Sequence, residues 1–417
     1  MADFEIIPEA MKARMAQIGR ADLVIALPVS ESSEALGAAA SRTGEALRAL
    51  SPDLTAVFVH SNGLPEAFGT PALDGRLQLI QLPHPPESDP LRSAGRSASR
   101  LRRTLFAAGM MLEARACGVV ETDPLKMTAA NLSRLFEPIL SGGQDLVMAA
   151  YWRRKYDNLL NTAIVYPLLR ALYGKRVQWP MAPDFGVSPR LLKHFLAATT
   201  AMESQAREIS PAWIATGAVS SGFEVCQTHL QARLEAPPPD DLSSALANLL
   251  RPMFLEIESD APFWQKLRGS RPVPTFGEPG AAPEQSNPAD VSRMVESFQL
   301  GFRNLQEVWS LVLSPATIVG MKKMTRLAPD QFRMPDELWA RMVYDFVLAF
   351  RMRVINRDHL LRALTPAYLA WVASYALEVK DAGEEDVEAR IETLCLVYEA
   401  EKPYFQSRWR WPDRFNP

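Results

Sequence analysis

The stretch Cys117–Met127, CGVVETDPLKM, decides how the rest of the chain is read. Ala116 to Val120 is an apolar run of strand length that breaks into Glu121-Thr122-Asp123 and then a proline. After a polar step at Thr128, apolar residues recur at Leu132, Leu135, Phe136 and Ile139, which is helical spacing. A strand that ends in two acids at i and i+2 and then turns into a helix sets them at the carboxyl edge of a sheet. Ligands of open α/β sheets bind at that edge. The spacing puts both carboxylates on one side of an extended backbone, and hard oxygen donors so placed suit Mg²⁺ or Mn²⁺ against a diphosphate. The plainer alternative is that Asp123 or Thr128 only caps the following helix.

Upstream of this stretch, strands and helices alternate. Ala21 to Pro28, ADLVIALP, is the continuous apolar run of a buried parallel strand. A polar turn, Val29 to Ser33, leads to a helix ending near Leu50, and Leu54 to His60 and Leu77 to Leu82 read as two more strands. Pro83 to Ser99 reads as loop, with a helix starting at the basic cluster Arg100, Arg102, Arg103. That cluster is either a solvated helix start or a phosphate clamp. Downstream, Asp145 to Ala150 is a strand that feeds Tyr151-Trp152-Arg153-Arg154-Lys155-Tyr156, a loop dense in positive charge and aromatic rings. A helix over Leu159 to Tyr173, the segment Pro180 to Gly186, a helix from Pro189, and a helix and strand within Ile214 to Leu234 complete an α/β region with a mostly parallel sheet. The proline run Pro237-Pro238-Pro239 marks a boundary. It divides the chain into a domain over 1–236 and a helical domain over 237–417, with helices at 241–259, 289–313, 335–358, 365–380 and 384–402. Residues 277–289 and Val319 to Arg326 read as flexible segments.

Bulk properties narrow the function classes. With 417 residues, a net charge of −3 and 22% charged side chains, the chain is an ordinary soluble type without the positive field that nucleic acid requires. No apolar run reaches the roughly 18–20 residues that span a bilayer, and the first fifteen residues lack a signal-peptide core. Cys117, Cys226 and Cys395 lie far apart in apolar settings, which fits buried, reduced thiols and a cytoplasmic protein. The five histidines have no paired ligand spacing for zinc.

Longer stretches carry a resemblance. ADLVIALPVSES, RRTLFAAGMMLEARACGVVETD, LFEPILSGGQDLVMAAYWRRKYDNLLNTAIVYPLLRALYG, PMAPDFGVS, RDHLLRALTPAYLAWVASYALE and YEAEKPYFQSRW together resemble bacterial family-2-like glycosyltransferases of the GT-A fold, of the glucosyl-3-phosphoglycerate synthase type. The resemblance implies a metal-assisted, retaining transfer of sugar from a nucleoside-diphosphate sugar to a small or lipid-linked acceptor. It implies that Pro28, Val29, Ser30 and Glu31 line the nucleoside pocket with Asn62, and that Thr122 and Tyr156 also touch the donor. Glu121 and Asp123 occupy the acidic places of the DxD metal motif for Mg²⁺ or Mn²⁺, and Glu235 stands where relatives keep a third, histidine ligand. Arg153 and Lys155 fall near the diphosphate, and Asp184, in Ala182 to Gly186, faces the sugar and acceptor.

The chain departs from the family pattern at several of these places. The first motif acid is a glutamate, Asn62 replaces an acid, and Ala182-Pro183 replaces a glycine pair. Ser210-Pro211-Ala212-Trp213 lacks the acid of a GID-x-W segment, and the lysine-glycine turn is altered near Gly95-Arg96-Ser97. These changes keep open the alternative of a catalytically inactive GT-A-like binding or scaffolding protein. A sugar-phosphate nucleotidyltransferase would need a glycine-rich loop after the first strand, and Val29 to Ser33 has none. The C-terminal helices could shape the acceptor side, support a homo-oligomer or rest on a membrane surface as a peripheral contact.

Overall fold

A computed structural model describes residues 7, 9–27, 33–62, 77–83, 90–121, 128–204, 208–233, 241–280 and 290–411. Its strands are β1 Leu23–Ala26, β2 Ala56–Asn62, β3 Leu77–Pro83, β4 Ala116–Val119, β5 Leu146–Trp152, β6 Lys175–Arg176, β7 Phe185–Val187, β8 Val225–Arg233, β9 Arg271–Pro272 and β10 Thr275–Phe276. Eight of them form one sheet in the order β10-β8-β5-β7-β4-β1-β2-β3. β1 runs parallel to β2 and to β4, β2 to β3, and β8 to β10. Every position of LVIA in β1 and ACGV in β4 is buried, as expected of central strands covered on both faces. The α/β architecture with a mostly parallel sheet, followed by helices, is therefore the one the sequence pattern indicates.

β7 is the exception to the parallel order. It lies antiparallel between β4 and β5, opposing Cys117–Val119 on one side and Leu146–Met148 on the other. Gly118 and Gly186 face each other across this pairing. A Cβ on Gly118 would stand 2.5 Å from the Phe185 carbonyl oxygen and 2.6 Å from the Phe136 ring, and one on Gly186 would stand 2.7 Å from the Leu135 carbonyl oxygen. Two missing side chains thus let the helix Ala129–Leu140 sit close on the sheet, with Leu132, Leu135, Phe136 and Ile139 buried in the core. Thr128 starts that helix by accepting the Asn131 N–H at 3.2 Å, so the capping role read for Thr128 is present.

The chain forms two compact units. The first holds Met1–Trp152, Trp179–Ala232 and Val273–Gly280; the second holds Arg153–Gln178, Arg233–Pro272 and Ala281–Pro417. The sequence reading drew one boundary at 236, whereas the units interleave along the chain. A late segment, β10, returns to pair with β8 in the sheet. The second unit is mainly helical, with Tyr166–Tyr173, Leu242–Ser259, Ala261–Trp264, Val291–Asn304, Gln306–Val312, Pro315–Met324, Asp336–Met352, Arg357–Ala363, Thr365–Glu378 and Glu384–Arg410 among its helices.

Several local expectations change. The helix expected from Arg100 begins ten residues earlier, at Pro90, where a proline loses no helical hydrogen bond. Val319 to Arg326, read as flexible, lies mostly in the helix Pro315–Met324, which Ser314 caps by accepting the Thr317 N–H and which buries Met321 and Met324. The helices expected over 289–313 and 335–358 each break in two. The second of these breaks at Arg353, which adopts a left-handed conformation with φ 55°. Tyr151 and Trp152, read as loop, are the last residues of β5. The helix expected over Leu159 to Tyr173 opens as a π-helix at Asn161–Val165. Pro167 has no N–H to give the Ala163 carbonyl, and that oxygen instead accepts from Trp339 Nε1 at 2.9 Å and Tyr398 OH at 3.0 Å.

Candidate functional site

β1, β4 and β5 all end at one edge of the sheet, and β7 begins there. Val119 pairs with Phe185 and Met148 also pairs with Phe185. Glu121 beyond β4, Tyr151 at the end of β5 and Asp184 just before β7 are therefore brought together by register. Asp184 is fully buried. One carboxylate oxygen accepts the Glu121 backbone N–H at 2.5 Å and the other accepts the Tyr151 hydroxyl at 2.6 Å. Both oxygens thus fix the exit of β4 and the end of β5. The Tyr151 ring is held in turn by an edge-on contact with Trp179 at 5.4 Å.

Arg102 completes this rim from the helix Pro90–Met111. Its side chain is only 8% exposed and lies 3.6 Å from the Glu121 carboxylate, which is 42% exposed. Arg102 also donates to the Ile209 carbonyl at 3.1 Å, its Nε is buried with no acceptor among the described residues, and Glu208 acts on it as a second negative charge beside Glu121. Burial raises the Glu121 carboxyl above the ordinary glutamate range, Arg102 works against that rise, and Asp184 adds to it. Arg102 and Arg103 are both buried, so neither belongs to a solvated helix start. The sequence reading weighed Arg102 only within a three-arginine cluster, as a solvated helix start or a phosphate clamp, and Tyr151 only within the basic-aromatic loop, and gave neither a place at this rim. The signal for Arg102 lay in its helical setting among Leu101, Leu105 and Phe106, all of which are buried.

The remaining expected site residues fall elsewhere. Pro28, Val29, Ser30, Glu31, Thr122, Asp123 and Glu235 lie outside the described residues. Asn62 closes β2, where its backbone is in register with Pro83 of β3. Arg153, Lys155 and Tyr156 belong to the second unit. There Arg153 pairs with Glu388 at 2.7 Å, and Lys155 Nζ donates to the carbonyls of Val379 at 3.0 Å and Lys380 at 2.5 Å. The Lys155 carbonyl accepts the Tyr375 hydroxyl at 3.1 Å, and its ammonium stands 5.5 Å from the centre of the Tyr156 ring. The basic-aromatic loop therefore spends its charge inside the second unit.

The resemblance implies Mg²⁺ or Mn²⁺ on Glu121, Asp123 and Glu235. Among the described residues, no group of three or more His, Cys, Asp or Glu side chains could hold a metal ion. Glu121 faces a buried guanidinium, and both Asp184 oxygens accept hydrogen bonds. Of the three implied ligands only Glu121 is among the described residues.

No family model matches the chain, and no curated protein matches it. Solved structures similar in part include glucosyl-3-phosphoglycerate synthase from Mycobacterium tuberculosis in complex with uridine diphosphate, at 15% identity over 61% of this chain and 86% of that chain, with a TM-score of 0.34. The same enzyme in complex with Mn²⁺, UDP-glucose and phosphoglyceric acid is 14% identical over 61% and 85%, with a TM-score of 0.34. A mycobacterial protein is 16% identical over 61% and 80%, with a TM-score of 0.39. Likeness of this degree transfers no function, so the site is read from its own residues.

Proposed function

We propose that the chain is a glycosyltransferase of the GT-A type, taking a sugar from a nucleoside-diphosphate sugar to a small or lipid-linked acceptor. One observation carries this reading. The acidic turn read in the sequence leaves the carboxyl end of a central strand, and an antiparallel strand inserted beside it holds Asp184 against the start of that turn. A sheet edge built in this way is where an α/β protein receives a nucleotide. Buried hydrogen bonds to Asp184 fix the backbone of Glu121 just beyond the end of β4. Asp184 then acts as a positioning residue, and the exposed part of Glu121 borders the donor. The three cysteines are buried and free, which supports a cytoplasmic setting. Among the described residues no helix is long and apolar enough to cross a membrane.

The test is turnover of UDP-, GDP- and ADP-sugars, followed by release of the nucleoside diphosphate. Asp123→Ala is expected to abolish turnover while the far-ultraviolet circular dichroism stays the same; unchanged turnover in the variant removes the proposal. A second reading, a non-catalytic binding module, is favoured by the engagement of Arg153 and Lys155 within the second unit. It predicts that sugar nucleotides bind, or fail to bind, with no turnover of any of them.

A further inference from the structure

The second unit carries a short parallel ribbon with an excess of positive charge. β6 and β9 pair in register, Lys175 with Arg271 and Arg176 with Pro272, and the Gly174 carbonyl accepts the Arg271 N–H at 3.0 Å. Gly174 turns the chain into β6 with φ 69°, and a Cβ there would stand 3.5 Å from the Leu267 side chain. Leu267 thus packs on this turn and carries its neighbours Lys266 and Arg268 to the ribbon.

Side chains alternate along a strand, so the ribbon has two unlike sides. On one, Arg176 Nε donates to Ser270 Oγ at 3.0 Å, and Ser270 Oγ donates to Glu399 at 2.6 Å. The acids of that side are engaged by the buried Arg170, which reaches Glu392 at 2.5 Å and Glu399 at 2.7 Å; Glu392 also lies 3.9 Å from Arg176. Lys175 and Arg271 share the other side. Register partners stand about 4.8 Å apart, and like charges directly opposite each other are destabilising. Among the described residues neither has an ion pair, nor do Lys266 and Arg268. Arg271, Lys266 and Arg268 are exposed and Lys175 is half-buried. No acid occurs in Gly174 to Gln178 or in Gln265 to Pro272, although the whole chain has a net charge of −3. An anion shared by the two cations relieves their repulsion. A phosphoryl group suits both, since it meets a guanidinium with two oxygens and an ammonium with a third.

We propose that the β6–β9 ribbon binds a phosphoryl group between Lys175 and Arg271, with Lys266 and Arg268 beside them. The group belongs to a free phosphorylated molecule or to a lipid headgroup. The site lies within the second unit and does not depend on the donor reading.

Calorimetric titration of the full chain with inorganic pyrophosphate in EDTA, beside the double variant Lys175→Gln/Arg271→Gln, tests the proposal. Neither side chain touches the Arg170 network, so the variant is expected to fold. Wild type should bind, and the variant should bind about tenfold more weakly or worse, since two charge-assisted contacts are lost. Raising the salt concentration should weaken wild-type binding. Charges that serve only to keep open strand edges from pairing predict no such difference. No binding to wild type, or equal binding to both proteins, therefore overturns the proposal. If the double variant does not fold, Arg271→Glu replaces it, because the introduced carboxylate would pair with Lys175 and displace the anion. Sedimentation with phosphatidylcholine vesicles containing phosphatidic acid then separates the sources. Wild type that sediments while the variant stays in solution assigns the headgroup; wild type that binds pyrophosphate but stays in solution assigns a free phosphorylated molecule.

Discussion

At Asp184 the chemistry of one carboxylate is divided between two strands. Its oxygens hold the Glu121 N–H and the Tyr151 hydroxyl in a place closed to water. A hydrogen bond to a charged group is worth about 1.5–3 kcal/mol, so Tyr151→Phe is expected to lower stability by about that amount in urea denaturation. A variant as stable as wild type would show that the hydroxyl is dispensable. The acids at 121 and 184 were legible from the strand-to-turn pattern and from a matched segment. Their joint use was not, because nothing local in Pro180 to Gly186 announces that three residues will form an antiparallel strand. Arg102 stayed undecided between a solvated helix start and a phosphate clamp for a related reason, since only tertiary neighbours show that two of the three clustered arginines are buried.

Among the elements, the closest packing is between the helix Ala129–Leu140 and the strand pair β4 and β7. Gly118 and Gly186 oppose each other, and a side chain at either meets backbone oxygen or the Phe136 ring. Overpacking of a tight core costs about 1–3 kcal/mol, so Gly118→Ala and Gly186→Ala are each expected to lose stability in that range. Chemical denaturation with an unchanged slope checks this, and a stable Gly186→Ala protein would mean that the helix can lift away. At this scale the sequence was informative for β1, β2, β3, β4, β5 and β8, whose apolar runs have strand length. It was poor where a proline-and-serine composition concealed the first ten residues of the helix Pro90–Met111, and where VGMKKMTR looked mobile without its Ser314 cap. Composition weighs residues singly, whereas caps and buried faces depend on where neighbours fall.

On the scale of the molecule, the second unit holds charges that water rarely reaches. Lys402 is buried, with Nζ donating to the Ala171 carbonyl at 2.8 Å at the end of the helix Tyr166–Tyr173. Burial lowers its pKa from 10.5 to about 8, with Glu399 opposing the drop. Between those values the unfolded chain binds the proton and the folded chain does not, so stability rises with pH across that window and is lost again as pH falls to 8. The rise, measured as wild type minus Lys402→Met, is expected to reach about 3 kcal/mol; a flat difference from pH 8 to 10.5 would contradict it. The sequence separated a sheet-forming part from a helical part because apolar spacing changes from runs to helical intervals. It could not reveal that the units interleave, since compactness depends on which segments return, and neither Arg153–Gln178 nor Val273–Gly280 carries a mark of its destination.

The antiparallel insertion of β7 also governs the order in which a growing chain can be completed. When synthesis has reached residue 152, β4 and β5 have both been made, yet the strand that separates them has not. Two unpaired strand edges then wait in the middle of the future sheet while Arg153–Gln178 emerges, and unpaired edges invite pairing with other chains. A protein truncated near Trp152 is accordingly expected to be recovered in aggregates, whereas extension through Val187 supplies the wedge that closes the gap.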